Sequence, residues 1–174
     1  MELPGLKTFL VPVDGGEASR RAKRYAVALA KQCGATVVLF HAHSPISGRI
    51  SPEGREKIMR KDMQNIAKVF EIYEAGCREA GVAFKKVIGH GTPAESIMDA
   101  ARVYQCDLIV MGSKGSSGAR KVLGSVTDTV SANSSVPVVM VGNECDCTNS
   151  CGSECVRKWR FSPIPNLQAD AIAC

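Results

Sequence analysis

The chain has 174 residues, of which 45% are hydrophobic and 22% are charged, and this composition is typical of one globular domain. The net charge is +5, from 22 basic and 17 acidic residues, and the basic residues are dispersed along the chain. Together with an aromatic content of only 5%, this argues against a nucleic-acid-binding or membrane-binding surface. The first residues lack the pattern of a signal peptide, and no apolar stretch has the length of a bilayer span, so we expect a cytoplasmic protein.

Hydrophobic patterning predicts five β-strands that alternate with four helices. The strands are expected at 8–13, 36–42, 83–88, 108–111 and 136–141. The helices are expected at 17–33, 53–80, 92–104 and 126–133. This alternation predicts a doubly wound, mostly parallel five-stranded α/β sheet of the Rossmann-like type. Because right-handed crossovers bring the carboxyl ends of the strands to one edge, a ligand is expected there, where the strand order reverses.

Local signals refine these elements. The segment Thr92-Pro93-Ala94-Glu95 has the pattern of a capping box with proline at the first helical position. Pro137 has no N–H group to donate, which predicts that the last strand lies at a sheet edge. Helical periodicity assigns several apolar side chains of the second and third helices to buried faces, among them Ile58, Met59, Ile66, Val69, Phe70, Tyr73, Ile97, Ala100, Ala101 and Val103.

A glycine-rich stretch at 111–127 connects the fourth strand to the last helix. Glycine lets a backbone approach a ligand closely, and the N–H groups at a helix start attract an anion. Neither the P-loop pattern nor Gly-x-Gly-x-x-Gly occurs here. The stretch is therefore a candidate phosphate-binding loop, and the alternative is a strand-to-helix connection without a ligand. Its glycines and cations are Gly112, Gly115, Gly118, Gly124, Lys114, Arg120 and Lys121.

Several motifs, in order, resemble the universal stress protein family. The spacing of Gly112, Gly115 and Gly124-Ser125 is similar to the family's nucleotide-binding loop, Gly-x2-Gly-x9-Gly-Ser/Thr, but eight residues instead of nine precede the third glycine. Val-Pro-Val-Asp-Gly at 11–15 and Asp-Leu-Ile-Val-Met-Gly-Ser at 107–113 also look like family segments. The likeness spans about residues 6 to 142. It implies ATP or another adenine nucleotide as ligand, with or without Mg²⁺, and a homodimer joined through strand 136–141.

The expected convergence of the sheet ends and this resemblance together define the candidate nucleotide-binding residues. Asp14 ends the first strand beside a glycine turn, where its carboxylate accepts hydrogen bonds from adenine or ribose or, alternatively, caps the next helix. The expected walls of the base pocket are Pro12, Val13, Ala42 and Met111. Close passage of the ribose and phosphates is assigned to Gly112 and Gly115. The groups expected to face the phosphate oxygens belong to Gly124, Ser125, Val126 and Thr127.

No catalytic residue and no metal ligand are predicted in this domain. His41 and His43 share one strand face, a pattern that fits a metal pair or a core histidine beside a loop histidine. The resemblance implies that serines such as Ser113, Ser116 and Ser117 can accept phosphate, because some family members phosphorylate themselves. No general base can be assigned, so we expect a binding module with at most slow ATP hydrolysis or autophosphorylation.

Cysteine usage divides the chain into a domain at 1–143, which resembles the universal stress protein family, and a Cys-rich tail at 144–174. Four of the tail cysteines are closely spaced, namely Cys145, Cys147, Cys151 and Cys155. Four thiolates are suited to zinc or an iron–sulphur cluster, and close pairs are suited to thiol–disulfide sensing. A tail with incidental cysteines is the third interpretation. The alternative function is thus a metal- or redox-sensing protein that keeps the fold but has lost the nucleotide.

Overall fold

The structure is a computed structural model that describes residues 5–43, 51–113 and 125–142. Within these ranges, four helices connect the strands of a five-stranded parallel sheet. The strands are β1 (Thr8–Pro12), β2 (Thr36–His43), β3 (Phe84–His90), β4 (Leu108–Gly112) and β5 (Val138–Val141). The helices are α1 (Glu17–Cys33), α2 (Pro52–Ala80), α3 (Pro93–Val103) and α4 (Ser125–Asn133). The predicted doubly wound α/β fold is therefore confirmed.

The strand order is β3-β2-β1-β4-β5, and every neighbouring pair is parallel. The chain therefore builds outward from β1 to β3 and then returns to add β4 and β5 on the other side of β1. The order reverses between β1 and β4, where Phe9 pairs with Leu108 and Leu10 with Ile109. In an open parallel sheet this reversal leaves a crevice beyond the carboxyl ends of the two strands.

Both faces of the sheet are covered along its centre, which explains why β1, β2 and β4 are nearly continuous apolar runs. Phe9 and Val11 of β1 point to the face covered by α1 and α2, whereas Leu10 points to the face covered by α3 and α4. The first core contains alanines of α1 and the side chains Ile66, Phe70 and Tyr73 of α2. The second core contains Ile97, Ala100 and Ala101 of α3 with Val130 of α4.

Three side chains that periodicity assigned to buried faces are exposed. Ile58 and Met59 of α2 are 37% and 39% exposed, and Val103 of α3 is 69% exposed. The 29 residues of α2 make it about 44 Å long, whereas the seven residues of β3 span only about 23 Å. The helix is longer than the sheet it covers, so the apolar stripe of its first turns finds no core. Val103 is the last residue of its helix.

The helix starts agree with the sequence signals in position but differ in detail. Thr92 is the N-cap residue of α3 and Pro93 opens the helix, as predicted, but the threonine side chain caps no backbone N–H group. Its hydroxyl donates instead to the Glu95 carboxylate, so the expected capping box does not form. In α2, by contrast, the Ser51 hydroxyl accepts a hydrogen bond from the Gly54 N–H group at 3.2 Å.

The expectation that Pro137 marks an edge strand is confirmed. Pro137 immediately precedes β5, its carbonyl accepts from the Ile109 N–H group at 2.9 Å, and β5 is the last strand of the sheet order. None of the helices in the described ranges combines the length and apolar character that a bilayer crossing requires.

Candidate functional site

A cleft of about 260 Å³ opens at the carboxyl end of the sheet, beside the reversal between β1 and β4. The ends of β1, β2 and β4 form its floor, and the first turns of α1, α3 and α4 form its rim. Nine of the eleven predicted site residues line it, namely Pro12, Val13, Asp14, Ala42, Met111, Gly112, Ser125, Val126 and Thr127. The other two, Gly115 and Gly124, lie outside the described residues. The structure thus brings the described candidates together, while their contacts with a ligand stay a prediction.

Six further described residues line the cleft although they were not among the predicted site residues: Ala18, Ser19, Phe40, His41, Pro93 and Ile97. Three of them belong to the first turns of α1 and α3. In a strand-helix unit the helix begins at the edge where the strand ends, so the topology rule that selected the strand ends also applies to helix starts. That rule could have identified Ser19 and Pro93 from the sequence.

Asp14 is held by the turn between β1 and α1. Its Oδ1 atom accepts from the Gly16 N–H group at 2.8 Å and from the Ser19 hydroxyl at 2.5 Å. Gly15 has a φ of +82°, and a β-carbon there would lie 3.3 Å from Val69 of α2, so glycine is required at this turn. The N-cap residue of α1 is Gly16, without a side-chain cap, so the alternative that Asp14 occupies the N-cap position is wrong.

Gly112 has a structural requirement that the sequence did not reveal. A β-carbon at this position would overlap the carbonyl oxygen of Ala18 and lie 2.8 Å from the Ala18 methyl group. The end of β4 therefore packs directly against the first turn of α1. This close packing supplies a reason for glycine that is independent of the ribose and phosphate passage assigned to it.

The first turn of α4 borders the cleft. Thr127 is buried, and its hydroxyl donates to the Gly112 carbonyl at 3.4 Å, which fixes the helix start against the end of β4. The first backbone N–H groups of a helix have no partner within the helix and carry the positive end of its dipole. Among the described residues that line the cleft, Asp14 carries the only full negative charge. The cleft thus combines apolar walls, one carboxylate and an anion-attracting helix start.

His41 and His43 have separate partners and do not form a metal pair. His41 is half-buried, and its Nδ1–H group donates to the Val13 carbonyl at 2.7 Å, so this nitrogen is not available as a base. His43 is buried at the end of β2, not in a loop, with its Nε2 atom 3.5 Å from Asp62 and its ring 5.7 Å from that of His90. Throughout the described part of the chain, no three side chains of His, Cys, Asp or Glu are arranged to hold a metal ion.

A parallel α/β sheet whose strand order reverses beside a cleft is the architecture of the Rossmann-like class of proteins. Residues 5–142 match the model of the universal stress protein family. The chain belongs to this family. The cysteines Cys145, Cys147, Cys151 and Cys155 lie beyond the matched segment and outside the described residues.

Relatives and solved structures agree with this assignment. A universal stress protein of Thermus aquaticus is 31% identical over 136 residues, which cover 78% of this chain and 98% of the relative. The universal stress protein MJ0531 of Methanocaldococcus jannaschii is 32% identical over 143 residues, covering 78% and 81% respectively. The solved structure of MJ0577 superposes with a TM-score of 0.70 at 26% identity and covers 80% of this chain and 98% of its own.

Two solved neighbours of the same fold contain an adenine nucleotide. An Arabidopsis thaliana family protein with AMP bound matches with a TM-score of 0.63 at 20% identity, covering 86% of this chain and 98% of its own. A universal stress protein of Archaeoglobus fulgidus in complex with dAMP matches with a TM-score of 0.61 at 21% identity, covering 79% and 98%. At these identities the likeness establishes the shared fold.

Proposed function

We propose that this chain is an adenine-nucleotide-binding universal stress protein, and that nucleotide occupancy of the cleft regulates a cytoplasmic, homodimeric stress-response module. The observation that carries the proposal is the convergence of three strand ends and the α4 start on one cleft of about 260 Å³. Family members of known structure that contain AMP and dAMP support the choice of an adenine nucleotide, with ATP as the expected physiological ligand.

Each part of the cleft suits one part of the nucleotide. Val13, Ala42 and Met111 supply apolar surface for the flat base. The Asp14 carboxylate is a hydrogen-bond acceptor, which matches the amino group of adenine or a ribose hydroxyl. The first turn of α4, from Ser125, supplies N–H groups for the phosphates. Mg²⁺ is commonly held by nucleotide phosphates and water, so a Mg–ATP ligand does not require a dedicated set of protein ligands.

We further propose a binding module, not a dedicated enzyme. A hydrolase needs a base within hydrogen-bond reach of the proton it removes. In the described lining of the cleft, the Asp14 carboxylate already accepts hydrogen bonds from the Gly16 N–H group and the Ser19 hydroxyl, which hold it as an acceptor for a ligand. This arrangement favours binding, with slow hydrolysis or autophosphorylation as the most that the proposal includes.

Isothermal titration calorimetry of ATP, ADP and AMP into the full chain tests the proposal. We expect affinities in the micromolar range, weakened about ten-fold or more in Asp14→Ala because a charge-assisted hydrogen bond is removed. The matched control is Asp99→Ala, since Asp99 is an exposed carboxylate of α3 paired with Arg102. Folded wild-type protein that releases no heat with any adenine nucleotide would contradict the proposal.

The cysteine-rich tail carries a second candidate function, because its four closely spaced thiols lie beyond the segment matched to the family. We propose zinc, an iron–sulphur cluster or a disulfide switch as its chemistry. Elemental analysis and a visible spectrum of anaerobically purified full-length protein test it, with a variant that replaces Cys145, Cys147, Cys151 and Cys155 by serine as the control. A metal-free, colourless protein whose tail thiols ignore oxidant removes this candidate and leaves the nucleotide proposal intact.

A further inference from the structure

A chain of hydrogen bonds runs from the middle of α2 to the edge of the cleft. The Tyr73 hydroxyl lies 2.6 Å from the Ser19 Oγ atom, which in turn lies 2.5 Å from the Asp14 Oδ1 atom. Tyr73 is completely buried and Ser19 is 6% exposed. Tyr73 does not line the cleft, whereas both of the other residues do. The buried phenol is therefore connected to the cleft through Ser19.

The donor and the acceptor of each of these two hydrogen bonds follow from the chemistry of Tyr73, Ser19 and Asp14. An ionised carboxylate only accepts hydrogen bonds, so the single proton of Ser19 is donated to Asp14 in preference to the Gly16 carbonyl at 3.0 Å. The Ser19 oxygen then accepts from the Tyr73 hydroxyl. Burial raises the pKa of the Tyr73 phenol, so the phenol keeps its proton at neutral pH and remains the donor.

The position of the phenol is fixed by the packing of α1 against α2. The ammonium group of Lys23 lies 5.9 Å from the centroid of the Tyr73 ring, in the geometry of a cation–π contact. Gly76, one turn further along α2, provides the space for this ammonium group, since a β-carbon at that position would overlap it. The packing of α1 against α2 around the Tyr73 ring thus holds the Tyr73 hydroxyl, the first donor of the hydrogen-bond series, in one place.

We propose that Tyr73 and Ser19 are positioning residues that orient the Asp14 carboxylate for the nucleotide, and that they thereby couple α2 to the cleft. This inference rests on the proposed nucleotide binding. Ser19 donates directly to the carboxylate, and Tyr73 acts through its hydrogen bond to Ser19. A preorganised acceptor does not have to be ordered when the ligand binds, so the loss of either donor weakens the nucleotide complex.

The test is a double-mutant cycle on AMP affinity, measured with the full chain. Tyr73→Phe removes one hydroxyl and keeps the ring, and we expect the Kd to rise about three- to ten-fold, the usual worth of one hydrogen bond. In an Asp14→Ala background we expect Tyr73→Phe to have no further effect, because the group it positions is gone. Tyr104→Phe is the matched control, since Tyr104 is 38% exposed at the end of α3.

The outcomes separate this inference from the function on which it rests. If Tyr73→Phe is folded by circular dichroism and binds AMP like wild type while Asp14→Ala binds weakly, the positioning role is wrong and nucleotide binding stands. Additive effects of the two substitutions overturn the route through Asp14. If Tyr73→Phe does not fold, Ser19→Ala takes its place in the same cycle, and we again expect it to have no further effect in the Asp14→Ala background. Wild-type protein that binds no AMP ends both proposals.

Discussion

The two edge strands of the sheet, β3 and β5, differ in length, charge and packing. Strand β3 pairs with β2 over seven residues, whereas β5 pairs with β4 over four. Lys85 and Lys86 of β3 are exposed, while all four residues of β5 are apolar and Met140 is 45% exposed. Charged residues on an edge strand discourage further pairing, and an apolar edge invites it. We infer that β3 is protected against pairing with a further strand, whereas β5 is available for it. We call β3 the closed edge and β5 the open edge of the sheet.

Packing beneath the two edges follows the same division. The carboxylate of Glu74 in α2 is buried and lies 2.6 Å from the Lys86 ammonium group and 2.5 Å from the Arg78 guanidinium group. Helix α2 is thereby tied to β3 by a pair of charges. Strand β5 has no such tie among the described residues, and its valines are only half-buried. In the proposed homodimer, the partner subunit would bury these partly exposed apolar side chains of β5.

The largest expected effect comes from placing a charge on the open edge. In a dimer joined through β5, the substitution Met140→Lys brings two like charges to the same apolar interface. We expect the dimer dissociation constant to rise about 100-fold or more, equivalent to roughly 2.8 kcal/mol. Analytical ultracentrifugation over a concentration series measures it.

The control for this substitution is Ile88→Lys on the closed edge, since Ile88 is 37% exposed on β3. We expect that variant to keep the oligomeric state of the wild type. A wild-type protein that is monomeric at all concentrations, or an equal loss of association in both variants, would contradict an open β5 edge.

A smaller effect, on the free energy of unfolding, is expected when a glycine at each edge of the sheet is replaced by alanine. A β-carbon at Gly89 in β3 would overlap the Phe40 ring and lie 2.7 Å from its Cε2 atom. At Gly142, just after β5, it would meet the Ser113 hydroxyl at 3.9 Å and no other atom of the described residues within 4 Å. Because overpacking a buried contact typically costs about 1–3 kcal/mol, we expect Gly89→Ala to lower the free energy of unfolding by that amount.

For Gly142→Ala we expect a change within about 0.5 kcal/mol. Urea denaturation followed by circular dichroism compares the two variants under the same conditions. Equal free energies of unfolding in both variants would mean that β3 is no more tightly packed than β5.

The sequence predicted this fold well because the three central strands, β1, β2 and β4, are mostly buried on both faces and therefore form clear apolar runs. What it missed depends on distant parts of the chain. Strand β3 continues past 88 to His90 because its register with β2 continues to His43. The exposure of Ile58 depends on where the sheet ends beneath α2, which periodicity alone does not contain.

The candidate site shows the same limit. Strand ends can be located by local pattern, which predicts Asp14 and Met111, whereas Thr127 is assigned through the resemblance of its segment to the family's last helix start. All three line the cleft. Tyr73 has no local signal of this kind, since it lies in the interior of α2 and meets Ser19 across 54 residues of chain. Its connection to the cleft emerges only when α1 and α2 pack together.

The smallest expected effect tests the tie between α2 and the closed edge. Glu74 is buried, but Lys86 is half exposed and Arg78 remains as a second partner, so the loss of one cation is partly screened by solvent and by the other. We expect Lys86→Met to lower the free energy of unfolding by about 1 kcal/mol. Lys85→Met, at the exposed neighbouring position of the same strand, is the control and should change it by less than about 0.5 kcal/mol. High salt weakens solvent-exposed ion pairs more than buried ones. Because the Glu74 carboxylate is buried, we expect the difference in free energy of unfolding between the two variants to persist in about 1 M NaCl. A difference that vanishes in about 1 M NaCl would mean that solvent screens the Glu74–Lys86 ion pair, and that this pair does not hold α2 on β3.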